Sequence, residues 1–282
     1  MPRYRLTIEY DGRGFVGWQR QDNGPSVQAA VENALRGFCG ETVAIVAAGR
    51  TDAGVHALGQ VAHVDLVRDW NPATVRDAVN FHLKPAAVAV LSADRVSDHF
   101  HARFSARQRS YLYRILNRPA PPVLDRGRAW WVPAPLDSAR MADAADTLIG
   151  RHDFSSFRSS ICQARSPVRT MDALTVERHD EYILIRARAR SFLHHQVRVI
   201  AGTLKLAGEG KWTTADVRAA LAAQDRRRSG PTAPAAGLYL AGVAYGPDGA
   251  IGTGDPASIE TACDGIDDQA EGDVGRHDAD GG

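Results

Sequence analysis

Residues 42–66 read TVAIVAAGRTDAGVHALGQVAHVDL. Apolar residues crowd 42–48 in a short strand pattern, and QVAHVDL at 60–66 forms a second strand. Between them Gly49-Arg50-Thr51-Asp52-Ala53-Gly54-Val55-His56 makes a loop with a carboxylate held between two glycines. Two strands joined by such a loop belong to a sheet, and the flanking segments decide its class. Upstream, YRLTIEY at 4–10 alternates polar and apolar as a half-buried strand does, and Asp11-Gly12 is a turn signal. Ser26 is placed to cap a helix running to about Cys39. Val27, Val31, Ala34, Leu35 and Phe38 share one face of that helix, and Gly40 ends it. Downstream, Asn71-Pro72 opens a helix to about Leu83 with proline at its first position, and residues 87–92 form one more strand.

The resulting order, β-α-β-β-α-β, is that of a ferredoxin-like (split βαβ) unit, an antiparallel sheet with helices on one face. The order returns, less clearly, in the second half. A strand at 109–117 precedes a helix from Asp137 to Leu148. Strands at 170–177 and 181–189 are joined by His179-Asp180-Glu181. A helix from Ser191 to about Leu206, a shorter one from Thr213 to Ala223 and a strand at 236–245 complete the set. The expected fold class is therefore α+β: two ferredoxin-like units with mainly antiparallel sheets meeting at a central cleft. Residues 1–105 would form the first domain and 106–248 the second. From 249 to 282 the chain is mostly Gly, Asp and Ala, too poor in apolar residues to offset its ordering entropy, and is expected to be a disordered acidic tail.

Charge separates along the same line. The 282 residues carry 34 Lys+Arg and 33 Asp+Glu, a formal net charge of +1. Nine of the acidic residues and only Arg276 among the basic ones lie beyond residue 250, so the body is nine charges positive and the tail eight negative. A body of that sign attracts polyanions. The tail reads as an inert solubilising extension or as a nucleic-acid mimic for the basic cleft. Cys39, Cys162 and Cys263 are odd in number and far apart, which argues against a disulfide framework or a structural zinc site. The chain starts MPRYRLTIEYDG with no apolar signal core, and no apolar run approaches the ~18 residues needed to cross a bilayer. A cytoplasmic protein is expected.

The loop carries the chemistry. Glycine permits close approach of backbone or ligand, and Arg50 can hold Asp52 ionised by Coulomb attraction, an available nucleophile. An Arg-x-Asp loop taken alone is more often a structural ion pair at a tight turn. The loop is not a phosphate-binding P-loop, because the Lys-Ser/Thr ending is absent.

GRTDAGVHALGQVAH resembles the signature of the tRNA pseudouridine synthase A (TruA) family. IEYDGRGFVGWQRQ at 8–21, DHFHARFSARQRSYLYRI at 98–115, HDFSSFR at 152–158, SFLHHQVRVIAGTL at 191–204 and GLYLAGV at 237–243 resemble that family's other blocks, in order. The resemblance covers residues 4 to about 245. It implies an isomerase that converts uridine to pseudouridine at positions 38, 39 and 40 of the tRNA anticodon arm. The N1–C1′ bond breaks and the uracil rejoins through C5, without an organic cofactor. It further implies a homodimer with one arm spanning both subunits. The family's catalytic aspartate falls on Asp52, which attacks the nucleotide or assists elimination at the ribose in a pocket that excludes water. A uridine stacked in a stem cannot present its C1′ face to a carboxylate, so base flipping is expected, and Arg50 falls on the arginine associated with the flipped nucleotide. Tyr111 falls on the tyrosine that stacks on the target uracil. Leu238 falls on an apolar residue packed near it. Arg198 falls on the partner of the catalytic aspartate.

Geometry speaks to some of these residues independently. On a helix over 191–204, Leu193, Val197, Ile200 and Leu204 lie within about 60° of arc, and Arg198 points roughly 130° from that stripe. A solvated surface arginine is the plain alternative to an ion pair. His194 and His195, adjacent on the same helix, would point ~100° apart and could not share one ion, so no metal site is expected. Arg103, Arg107, Arg109 and Arg114, Arg165 and Arg169, and Arg226 to Arg228 form basic groups suited to a groove that tracks phosphates, with salt-sensitive binding. Residues 224–229 read as a mobile loop able to fold over RNA. Tyr10, Phe15 and Trp18 read as core or cleft packing.

Overall fold

The computed structural model describes residues 1–246, and the acidic segment 249–282 lies outside them. The first half runs β1 (Arg3–Tyr10), α1 (Val27–Cys39), β2 (Val46–Ala47), β3 (His56–Asp65), α2 (Pro72–Leu83) and β4 (Val88–Val96). The second half runs β5 (Ala106–Leu116), β6 (Trp130–Trp131), α3 (Ser138–Asp146), β7 (Gly150–Asp153), β8 (Val168–His179), β9 (Tyr182–Ala189), α4 (Gln196–Gly208), α5 (Thr214–Ala222) and β10 (Leu238–Tyr245).

Local chemistry explains most of these boundaries. The Ser26 hydroxyl accepts from Ala29 N–H at 3.2 Å, which satisfies an orphan donor at the start of α1. Gly40 ends that helix with φ +75°, in the left-handed region that glycine enters without a Cβ clash. The Asn71 side chain caps α2, with Pro72 at its first turn. In β9, Ile183, Ile185, Ala187 and Ala189 are buried while the residues between them are more exposed, the period of two that a one-sided core requires.

One mixed sheet of ten strands carries the molecule, in the order β4-β1-β3-β10-β5-β9-β8-β7, with β2 beside β3 and β6 beside β5. The pairing is mainly antiparallel. This corrects the expectation of separate sheets meeting at a cleft. The last strand closes the gap: β10 is parallel to β3 through Tyr239↔His56 and Leu240↔Ala57, and antiparallel to β5 from Leu238↔Tyr113 onward. The strand that ends the second half thus hydrogen-bonds to the strand that leaves the Asp52 loop.

Two large hydrophobic clusters lie along this sheet. One gathers Tyr4, Leu6, Ile8, Val31, Leu35, Val75 and Val79; the other gathers Met141, Leu148, Phe154, Phe157, Ile185, Ile200 and Leu204. Each such large apolar side chain, fully buried, contributes about 1.5–3 kcal/mol. Tyr111 packs against both clusters.

Several segments depart from the sequence reading: β6 and β7 have no counterpart in it, and β3 starts at His56 rather than at residue 60. Of the strand expected at 42–48, only Val46–Ala47 pairs with β3, at His63 and Ala62. The helix expected from Ser191 begins instead at Gln196, because His195 adopts φ +63° and the backbone before it turns rather than winds.

Candidate active site

The Asp52 loop is held by the segment that follows β1. Trp18 N–H donates to the Thr51 carbonyl at 3.0 Å, and Val55 N–H to the Asp52 carbonyl at 3.1 Å. The Tyr10 hydroxyl lies 2.7 Å from Thr51 Oγ1. Gly17 sits at φ +112° with its missing Cβ only 2.6 Å from the Thr51 carbonyl oxygen, and a Cβ on Gly12 would fall 2.1 Å from that of Val55. Backbone therefore lies directly on backbone at both positions, which only glycine permits. His56 completes the clamp. Its Nδ1 accepts from Gly12 N–H at 3.1 Å and its Nε2 lies 3.0 Å from the Gly127 carbonyl oxygen. Those roles require a neutral ring, and burial pushes its pKa down accordingly.

Three side chains from the second half converge on the carboxylate so presented. Arg198 Nη1 lies 3.5 Å from Asp52 Oδ2. His194 Nε2 is 3.2 Å from Oδ1 and His195 Nε2 is 3.3 Å from Oδ2. The Asp52 side chain keeps 27% of its exposure, so it remains open to a substrate. Arg50 is exposed and is not among these partners, which corrects the expectation that it holds Asp52.

Arg198 is fixed at both ends. Its Nε donates to the Ala233 carbonyl at 2.8 Å, and Ala233 N–H donates back to the Arg198 carbonyl at 3.0 Å. Around it α4 is buried at Val197, Val199, Ile200, Ala201, Gly202 and Thr203, far more of its circumference than one apolar stripe. The covering element is the extended segment after α5: the missing Cβ of Gly202 lies 1.9 Å from the Pro231 carbonyl oxygen. Residues 224–229, expected as a mobile loop, are instead tied down. Asp225 caps a short 3-10 turn, and Arg226 donates to the Ser229 and Thr232 hydroxyls and the Gly230 carbonyl. Arg227 pairs with Asp225, while Arg228 is exposed.

The two histidines overturn a sequence argument. They precede the helix rather than ride on it, with ring centroids 4.0 Å apart. Gln196 Oε1 accepts from Leu193 N–H at 2.8 Å, and Ser159 N–H donates to the His194 carbonyl at 2.9 Å, which fixes the turn. Burial lowers the His195 pKa, against the pull of the Asp52 charge. Asp52, His194 and His195 bring three ligand atoms within 4.8 Å of one another, the geometry of a metal-binding group among the described residues. The sequence signal was misleading here, since Ser191 is a better N-cap than His195 and draws the helix start five residues too early.

Tyr111 stands edge-on to Phe192, with centroids 5.0 Å apart. Burial, and then the nearby Asp52 charge, push its pKa up to about 12, so the phenol is protonated at neutral pH. Its strand neighbour Tyr113 is fully buried and donates to the Pro234 carbonyl, a structural role. Leu238 is buried opposite Tyr113 at the start of β10. Arg107 is exposed. Arg109 is engaged otherwise: its guanidinium donates to the Ala48, Arg190 and Arg103 carbonyls at 2.6–3.3 Å. It braces the chain entering the loop, with its N–H donors turned to backbone carbonyls.

A model of the family described as tRNA pseudouridine synthase matches residues 6–105 and 144–246. The chain belongs to this family. It is 61% identical over 249 residues to the tRNA pseudouridine synthase A of Paramagnetospirillum magneticum, covering 88% of this chain and 97% of that one. It is 62% identical over 240 residues to the protein of that name from Rhodospirillum centenum, covering 85% and 98%. Family membership makes the chain an isomerase. Both matched blocks contribute to the carboxylate site: the first carries Asp52, the second His194, His195 and Arg198. No helix among the described residues is long and apolar enough to cross a membrane.

Proposed function

We propose that this chain isomerises uridine to pseudouridine at positions 38, 39 and 40 of the tRNA anticodon stem-loop, with Asp52 as the reacting carboxylate. The observation that carries this reading is the half-exposed Asp52 on a glycine-clamped loop, paired with an arginine locked from behind. In the reaction the N1–C1′ bond breaks, C5–C1′ forms, a proton leaves C5 and one is taken up at N1. Substrate and product are isomers, so no electron donor, group donor or organic cofactor is consumed. Asp52 either adds to the nucleotide or draws the proton whose loss drives elimination at the ribose. Arg198 supports both routes, because a fixed guanidinium needs no reorganisation as charge on the carboxylate changes.

The target uridine reaches Asp52 by flipping from the stem. Tyr111 offers the flipped uracil an aromatic face and a protonated hydroxyl within the electrostatic reach of Asp52. Leu238 supports the apolar side of that pocket, and the exposed Arg50 fills the vacated stack or grips phosphate. Arg107 adds a phosphate contact from the start of β5. We further read the halves as two split βαβ units sharing one sheet, with the domain boundary near residue 105. The active form is a homodimer in the cytoplasm, with one anticodon arm contacting both subunits.

The test is pseudouridine mapping of an unmodified tRNA transcript bearing uridines at 38, 39 and 40, with wild type and Asp52→Ala. Pseudouridine at those positions with wild type alone supports the whole reading. Modification at another position moves the substrate assignment, and no pseudouridine on bound tRNA sinks it.

A further inference from the structure

We propose that Asp52, His194 and His195 form a binding site for a divalent transition ion of the zinc class, and that the ion masks the reacting carboxylate. The regulatory consequence rests on the functional reading above; the binding itself does not.

The argument is one of donor type and spacing. Two imidazole nitrogens and one carboxylate oxygen are a donor set suited to zinc and its neighbours rather than to magnesium or calcium. With zinc–ligand bonds of about 2.0–2.1 Å, the corners of a tetrahedron are about 3.3–3.4 Å apart. His194 Nε2 lies 3.2 Å from Asp52 Oδ1, and His195 Nε2 lies 3.3 Å from Oδ2. Three ligand atoms, one from each residue, fit within 4.8 Å, so an ion can enter with small rotations. All three side chains keep between 25% and 34% of their exposure, which leaves a corner for water. The turn before α4, left-handed at His195, brings one ring to each carboxylate oxygen.

The competing charge is Arg198. Its Nη1 lies 3.5 Å from Oδ2, the oxygen that His195 also approaches, while His194 lies on Oδ1. An ion bound through Oδ1 and the two imidazoles draws the His195 ring away from Oδ2 and leaves that oxygen to the arginine. Neither Cys39 nor Cys162 is in this group of ligands. With Oδ1 on the metal and Oδ2 facing Arg198, Asp52 has no unengaged oxygen with which to attack or draw a proton, so the occupied enzyme is inactive while its RNA-binding surface is unchanged.

The experiment is calorimetric titration of untagged full-length protein with zinc chloride, and separately with magnesium chloride. It is paired with single-turnover pseudouridine formation at the same zinc concentrations. Wild type, and a variant with all three cysteines changed to serine, should bind one zinc and no magnesium at this site. His194→Gln/His195→Gln, checked for retained melting temperature, should bind zinc weaker by about tenfold or more. His194→Gln and His195→Gln singly provide the same reading if the double variant melts early. Activity should fall with the calorimetric midpoint and return on adding chelator. Equal zinc affinity in wild type and the histidine variants, or no one-to-one binding in wild type, overturns the site. Full turnover at saturating zinc overturns the masking. Wild type that binds zinc as stated yet forms no pseudouridine in chelator condemns the functional reading and leaves the metal site standing.

Discussion

Changing Gly12 to alanine puts a methyl carbon 2.1 Å from the Val55 carbonyl oxygen and 2.6 Å from its carbon, with Gly54 at 2.9 Å. Contacts below 3.0 Å force movement, so the backbone at 54–55 must retreat by at least about 0.9 Å, the difference between 3.0 and 2.1 Å. No side-chain rotation relieves this, because every atom met is backbone. Asp52 lies three residues from Val55 and shares a hydrogen bond with it, so the displacement is passed to the carboxylate. A reacting group misplaced by about 1 Å loses on the order of 100-fold in rate. The fold should lose about 1–3 kcal/mol, the usual cost of overpacking. Affinity for tRNA should stay near wild type, since phosphate contacts dominate it and Gly12 is buried. The assay is single-turnover pseudouridine formation below the melting temperature, with tRNA affinity measured by filter binding. Gly14→Ala is the control, because nothing lies within 4 Å of its Cβ position. A folded Gly12→Ala protein with the rate of Gly14→Ala would refute the claim that backbone contact positions the loop.

Arg198→Ala should lower the single-turnover rate by about 10²–10³-fold, as loss of a pre-oriented charged donor does. Arg198→Lys should rescue little of it, because one ammonium cannot reach both Ala233 and Asp52 as Nε and Nη1 do; a lysine variant at full rate would count against the locked pair. Tyr111→Phe should keep the stacking surface, whereas Tyr111→Ala should lose about 1–3 kcal/mol of base stacking, read in the rates of both variants. Equal rates for the two would remove the ring from the pocket. His63 is held near pKa 4 by burial, with Arg3 and His101 adding to the depression. The unfolded chain takes up this proton below about pH 6.5, whereas the folded chain waits until about pH 4, so folding stability falls as pH drops across that window. Denaturant melts of wild type should weaken more steeply from pH 7 to 4.5 than those of His63→Gln, and parallel profiles would contradict the assignment.

Local signals set several boundaries correctly. Ser26, Gly40, Asn71 and Pro72 bracket α1 and α2 because caps and fixed dihedrals act within a few residues. The hairpin of β8 and β9 turns at Asp180, with φ +49°, where the polar triplet at 179–181 places it. The α4 start was not legible, since it depends on Gln196 bonding Leu193 and on Ser159 bonding His194 across 35 residues. Nor was the length of β3 legible: its start at His56 and Ala57 pairs with Tyr239 and Leu240 of β10, nearly two hundred residues on, and Ala57 also with Tyr10 of β1.

By itself the sequence determined the α+β class, the order of its elements apart from β6 and β7, the family and the loop that presents Asp52. Each of these rests on short-range periodicity or on a contiguous motif. The tertiary structure decided that the halves share one sheet and that Arg109 braces the backbone at Ala48 and Arg190. It also decided that Asp52 is met by His194, His195 and Arg198 instead of Arg50. Those outcomes depend on residues from 61 (Ala48 and Arg109) to 183 (His56 and Tyr239) positions apart, brought together by burial and a shared strand. No local pattern records which distant charge will face a carboxylate once the sheet has closed.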